Sequence, residues 1–305
     1  MPSAAEAADE STGFEPDTGR LVEIVEGIGR VTAPNRGPYT FTGTNTYLVG
    51  VDELLVIDPG PADSRHLKAL LAAIAKRPVR AIALTHTHRD HSGLARRLKK
   101  KTGAPIWSNG RHRLYREARG FERMRLARSC DFDLEPDEIL EDGQILYIDG
   151  ISIGVLGTPG HCANHLSFSV NGSPYVFTGD HVMGWSSTVI APPDGSMGDY
   201  LQSLERLIVS PFSYYLPAHG GPVPEGRKYA RALLAHRQQR NAQILEGLEQ
   251  GATTVPKLVA RIYPTLKPAL RPAAAKTVEA HLDYLAAHGQ VAVKGGLFGR
   301  RYVRR

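Results

Sequence analysis

Residues 84–93 read LTHTHRDHSG, three histidines and an aspartate within six positions. They follow the apolar, β-branched run VRAIAL and precede a segment with helical spacing. Neutral imidazole is the commonest protein ligand for first-row metals, and its charge changes near neutral pH. His86, His88, Asp90 and His91 together therefore suggest metal binding or proton handling rather than a solvated polar turn. Three later segments carry residues of the same kind: His161 after GISIGVLGTP, Asp180 after YVFT, and His219 in LPAHGG after YYL. Each sits at the end of an apolar run that reads as a strand, and strand ends at one edge of a sandwich converge on one spot. Zinc in hydrolytic sites takes about three protein ligands and keeps a position open for water, whose pKa then falls to near 7.

The elements that must position these residues can be followed along the chain. LVEIVEGIGRVTA, YTFTGTNTYLVG and ELLVIDPG are short strand-like runs punctuated by Gly, Pro and Asn. SRHLKALLAAIAK places Leu67, Leu70, Leu71 and Ile74 at helical spacing, with Asp63 or Ser64 as the N-cap and Pro78 as the stop. A strand over 79–84 delivers the histidine-rich turn, a helix carrying Leu94 and Leu98 follows and ends at Gly103, and PIWSN reads as a further strand. QILYIDGISIGVLGTPG, HLSFSVNGSPYVFTGD and YYLPAHGG return to strand patterning. Such an order predicts an α+β fold of two sheets packed face to face with helices outside. A long helix over 226–251 leads to residues 252–305, where two amphipathic helices precede a hairpin around Gly295, Gly296 and Gly299, a winged-helix pattern. That module is either a holder of nucleic acid through its second helix or a structural lid. Residues 1–20, acidic and rich in small side chains, read as a disordered lead-in, and 21–225 as the main domain.

Charge and composition narrow the class. The chain of 305 residues carries a formal charge of +6, is 42% hydrophobic, and has no run approaching the ~18 apolar residues of a membrane helix, so no membrane partner is expected. Its first twenty residues lack the basic and apolar regions of a secretory signal, and two cysteines, Cys130 and Cys162, are too few for a disulfide framework, which together predict a cytoplasmic protein. Between Arg96 and Arg128 stand twelve Lys or Arg against Glu117 and Glu122. That segment is either a solvated face or a surface for anionic substrate, with Arg111, Arg116, Arg119 and Arg123 as possible contacts to substrate or RNA.

HTHRDH at 86–91, followed by His161, Asp180 and His219 in this order, resembles the metallo-β-lactamase superfamily, from about residue 21 to 225. The resemblance implies a four-layer αββα sandwich holding two Zn²⁺. His86, His88 and His161 would hold the first zinc, Asp90, His91 and His219 the second, and Asp180 would bridge them. Asp90 would also orient a zinc-bound hydroxide and pass its proton on, and is the expected catalytic residue. Asp58 matches an aspartate that supports the ligands from behind, with a plain turn before Pro59 as its alternative. His165 matches a family histidine placed behind the ligands or beside substrate, a structural role being the alternative. TGTNTYLVG, TPGHCANHLSF and HRQQRNAQIL, with the winged-helix pattern, resemble the beta-lactamase-like protein 2 family within the superfamily. A Cys at position 180 would be expected in the commonest true β-lactamases, and the 38 residues between Asp180 and His219 leave no room for the inserted domain of the β-CASP branch.

The expectation is a zinc-dependent hydrolase acting through a metal-bound hydroxide on an ester, thioester, lactone or lactam, its partner a small acyl compound. A single-strand-specific endoribonuclease acting on single-stranded RNA is the alternative, and a non-catalytic nucleic-acid-binding protein the second. The oligomeric state is left open.

Overall fold

The computed structural model describes residues 13–295 and 300–305. A seven-stranded sheet runs in the order β1 (Leu21–Val25), β2 (Ile28–Thr32), β3 (Asn45–Val49), β4 (Leu54–Ile57), β5 (Val79–Ala83), β6 (Ile106–Ser108) and β7 (Glu138–Ile139). Its first four strands are antiparallel and β4 to β7 are parallel. The second sheet is ordered β12 (Tyr214–Pro217), β11 (Tyr175–Gly179), β10 (Leu166–Val170), β9 (Ile151–Gly157) and β8 (Ile145–Ile148). The inward-facing side chains of the two sheets, including Tyr47, Val49, Ile57, Val155, Phe168, Phe177 and Leu216, form one buried core. The outer face of the first sheet packs Leu48, Val56 and Ile82 on Leu67 and Leu70 of α1 (Ser64–Ile74) and Leu98 of α3 (Ala95–Thr102). Because both faces of β3 and β4 are covered, neither strand alternates between apolar and polar residues. The outer face of the second sheet meets α5 (Met197–Val209) and α6 (Gly226–Glu249) through Val176, Tyr215, Tyr200, Leu204, Ala230 and Leu233. This is the expected four-layer αββα arrangement.

The C-terminal module comprises α7 (Val255–Ile262), α8 (Arg271–Ala287) and an antiparallel pair, β13 (Val291–Lys294) with β14 (Arg301–Arg304). Its core draws Ile244 and Leu248 from the far end of α6, while Ala280 of α8 joins the core beneath the second sheet. The hairpin glycines Gly296 and Gly299 lie outside the described residues.

Two local expectations change. Helix α1 is capped by Asp63, whose carboxylate accepts from the Arg65 and His66 amides, but it ends before Pro78, because Ala75 turns left-handed (φ 52°) and its N–H closes on Leu71. The lead-in expected to be disordered to residue 20 is laid on the first sheet from residue 13. Phe14 lies under the Arg30 guanidinium at 4.5 Å, and the Gly19 amide donates to the Thr32 carbonyl. Residues 1–12 lie outside the described residues. Among the described residues no helix is long and apolar enough to cross a membrane.

Candidate metal centre

β5 ends at Ala83, and the chain that carries His86 and His88 runs on beside the second sheet, where the Leu166 amide donates to the Thr85 carbonyl. Asp90 and His91 follow on a single turn, α2 (Arg89–Ser92). From the second sheet, His161 lies in the loop after β9, Asp180 directly after β11, and His219 two residues after β12. At the β11 end Gly179 adopts φ +52°, and a Cβ there would stand 2.6 Å from His165 Nε2. Only glycine lets that strand end close over the histidine.

The seven residues come together as two clusters. His86 Nε2 and His161 Nε2 each lie 3.0 Å from His88 Nδ1. In the other cluster Asp90 Oδ2 is 3.5 Å from His91 Nε2 and 3.3 Å from His219 Nε2. Asp180 faces both, its Oδ1 standing 3.5 Å from His91 and 3.3 Å from His219 while Oδ2 is 3.6 Å from His161. Each group of three donors is compact enough to hold one cation.

The far nitrogen of every imidazole is tethered. His86 Nδ1 reaches Thr85 Oγ1 at 3.0 Å, and because that hydroxyl donates to Asp58 Oδ2, the imidazole must be the donor to it. His88 Nε2 donates to Asp194 Oδ2 (2.8 Å), His91 Nδ1 to Asp58 Oδ2 (2.9 Å), His161 Nδ1 to the Val189 carbonyl (2.9 Å) and His219 Nδ1 to the Gly43 carbonyl (3.2 Å). These bonds put the proton on the outward nitrogen of each ring and leave a lone pair on the inward one. Bare lone pairs 3.0 Å apart repel unless a positive charge lies between them. His91 Nε2 and Asp180 Oδ1 are also buried without a hydrogen-bond partner. The donor set, five imidazoles and two carboxylates, thus fits two first-row divalent cations.

The same groups are strongly coupled to one another. Burial works against the charge of His219, yet Asp180 and Asp90 outweigh it and raise its pKa to about 9; His91 is raised well above its usual range against the same burial by Asp90, Asp180 and Asp58. Burial likewise opposes ionisation of Asp180 and Asp90, but the neighbouring His219 and His91 hold both well below the carboxylate range. His86, deep among other imidazoles, is pushed well below its usual value by burial first and by His91 and His88 next.

Asp58 sits behind the ligands with φ 51°, a conformation that aspartate tolerates better than most residues, and its other oxygen accepts the Thr85 amide at 2.7 Å. His165 is fully packed: Nε2 accepts the Asp180 amide at 3.1 Å and Nδ1 bonds Thr158 Oγ1 at 2.9 Å, so it braces the backbone of Asp180. Sequence reading missed Asp194, the partner of His88, because PPDGS reads as a turn. It also missed His112, which lies within the basic run. Cys162 is buried and bonded to Asn164 Oδ1 at 3.4 Å, away from the ligand nitrogens.

The four arginines considered as contacts behave differently from the ligands. Arg111, Arg116 and Arg123 line a cleft of about 550 Å³ floored by His112 and Phe132, and Arg119 is not among its lining residues. Arg111 pairs with Glu135, Arg116 with Glu122 at 2.8 Å, and Arg123 stacks over Phe132 at 4.5 Å. Arg119 contributes its backbone N–H to Glu122. Arg96 and Lys99 are likewise paired, with Asp131 and Asp137.

A sandwich of this layering, with His and Asp clusters gathered at its strand ends, defines a metal-dependent hydrolase. Residues 39–219 match the metallo-beta-lactamase superfamily and residues 254–300 the beta-lactamase associated winged helix domain. The chain belongs to the metallo-beta-lactamase superfamily. Among curated relatives it is 26% identical to a beta-lactamase-like protein 2 homolog of Caenorhabditis elegans, covering 89% of this chain and 88% of that one. It is 27% identical to an atrochrysone carboxyl ACP thioesterase of Aspergillus fumigatus, covering 81% and 77%. A metallo-beta-lactamase family protein from Thermus thermophilus superposes with a TM-score of 0.75 at 28% identity, covering 93% of this chain and all of that structure.

Proposed function

We propose that the chain is a binuclear zinc hydrolase of small acyl substrates, with a thioester foremost among ester, thioester, lactone and lactam. The observation that carries this reading is Asp180: its two oxygens face two separate ligand clusters whose imidazoles are all tethered from behind. When bound, two zinc ions would supply Lewis acidity toward a carbonyl oxygen and would acidify a bound water. His86, His88 and His161 would hold one ion, Asp90, His91 and His219 the other, and Asp180 both. Asp90 is the least enclosed of the ligands, with 31% of its side chain exposed, so it faces the opening through which substrate arrives. Its carboxylate is kept ionised by His91 and His219, which suits it to accept a hydrogen bond from the attacking water and so orient it, and its exposed position would let it carry the water's proton to the leaving group. The thioesterase named among the relatives supports the acyl substrate class. Arg111 and Arg116 are engaged by Glu135 and Glu122 and Arg123 is stacked on Phe132, so three of the four arginines considered as phosphate contacts are already occupied, which weighs against that role.

The test uses zinc-loaded full-length protein with acyl-pantetheine thioesters, lactones and a labelled single-stranded oligoribonucleotide assayed side by side. Thioester turnover that chelation abolishes and zinc restores is the expected result. Endonucleolytic cleavage without acyl turnover would replace this reading with the ribonuclease one, and RNA binding without any turnover would replace it with a non-catalytic one.

A further inference from the structure

Behind His88 lies a second set of metal-type donors, none of them among the seven ligands of the hydrolytic site. His112, Cys130 and Asp194 are all buried. They come from three separate segments: the loop after β6, the residues following α4 (Glu122–Leu126), and the loop after β11. Their ligand atoms, together with His88 Nε2, all lie within 4.8 Å of one another. Asp194 divides its carboxylate. Oδ2 accepts from His88 Nε2 at 2.8 Å and lies 3.7 Å from Cys130 Sγ, while Oδ1 stands 3.0 Å from His112 Nε2.

That last pair is close but misaligned. Neither His112 Nε2 nor Asp194 Oδ1 has a hydrogen-bond partner, although both atoms are buried. His91 Nε2 and Asp180 Oδ1, in the hydrolytic site, share the condition of near atoms that aim past each other at a common point. The outer nitrogen of His112 is tethered too, Nδ1 lying 2.8 Å from Thr87 Oγ1, which in turn accepts from Asn164. A carboxylate oxygen, an imidazole nitrogen and a thiol converging in a buried pocket, with the ring anchored from behind, match the ligand preferences of zinc better than those of a hard cation such as magnesium.

We propose that His112 Nε2, Cys130 Sγ and Asp194 Oδ1 form a third, structural site for a zinc-like divalent cation. The thiol gives up its proton to solvent as it ligates. Asp194 keeps its hydrogen bond from His88 through the other oxygen, so one carboxylate joins this site to the first ligand cluster. The cation would pin the segment from Asn109 to Phe132 against the HTHRDH turn, where backbone pairing of His88 with Cys130 already holds the two strands of chain together.

Cobalt(II) in place of zinc distinguishes this site from the hydrolytic pair, because the seven ligands there include no sulfur. Full-length protein loaded with cobalt is expected to hold three ions per chain and to show a thiolate-to-cobalt charge-transfer band in the near ultraviolet. Cys130→Ser and His112→Gln should each lower the content by one ion, with the band lost in the first, whereas Cys162→Ser should leave both unchanged. Two ions per chain in the wild type with no such band would overturn the proposal, and that measurement needs no variant to fold. A wild type that shows the band while holding only one ion would instead overturn the binuclear reading and leave this site standing.

Discussion

The histidine-rich turn and the basic segment adjoin in sequence, at 84–93 and 96–128, and each stands out by density of one residue type. In the folded chain they part company. The turn delivers its side chains to a point shared with His161, Asp180 and His219, whereas the basic side chains share no such point, and three of them, Arg96, Lys99 and Arg111, pair with Asp131, Asp137 and Glu135 just beyond the segment. Metal ligation depends on which atoms meet at one place, and a dense local motif already supplies several of them. A field is a sum over everything nearby, so a window that stops at Arg128 misses the seven acids between 131 and 142, three of which pair with Arg96, Lys99 and Arg111.

The comparison breaks most visibly at Asp90. Asp90→Asn is expected to lower turnover by about 10²- to 10⁴-fold in steady-state assays while the fold persists, because the amide can neither accept a proton nor ligate well. Unchanged turnover would mean that the turn is a metal-holding frame only. Asp58→Asn should weaken metal affinity about 10- to 100-fold, read by competition with a chelator, since the His91 and Thr85 tethers both end on that carboxylate. The basic segment gives a smaller effect. Changing Arg111, Arg116, Arg119 and Arg123 to Gln should alter the salt dependence of single-stranded RNA binding by less than about 0.7 log units per decade, the equivalent of one phosphate contact. A loss of several contacts would restore the segment as a phosphate-reading surface. Asp63→Ala, remote from both regions, should cost about 1 kcal/mol in denaturant unfolding through loss of the α1 cap and leave turnover alone.

Much of the architecture is legible because β-branched runs and helical spacing reflect burial directly, and because each ligand follows such a run. Helix α1 shows where this stops: Pro78 is a visible stop signal, but a left-handed Ala75 ends the helix sooner. The tethers are less legible still. His161 and His219 are fixed by the carbonyls of Val189 and Gly43, groups that every residue carries and that leave no mark in sequence. Asp194 lies 106 residues from the histidine it holds, so only the packing of the two sheets reveals the pair. Phe14 stands in a stretch of otherwise disorder-prone composition, and its contact with Arg30 depends on a strand that follows it.

Helix α6 has its two ends built into different cores, Ala230 and Leu233 beneath the second sheet and Ile244 and Leu248 within the C-terminal module. Midway, Arg237 donates to the Thr188 carbonyl, and the Thr188 hydroxyl donates to the carbonyl of Asp180. The two modules named along the sequence are therefore not independent parts. A cut near Gly251 would leave each fragment with a bare apolar stripe and an open groove where its neighbour lay, so heating should melt the chain in one cooperative transition rather than two. Recombining such a catalytic domain with a different tail would mean redesigning this helix along its whole length, and that ties the evolutionary fate of the one module to the other.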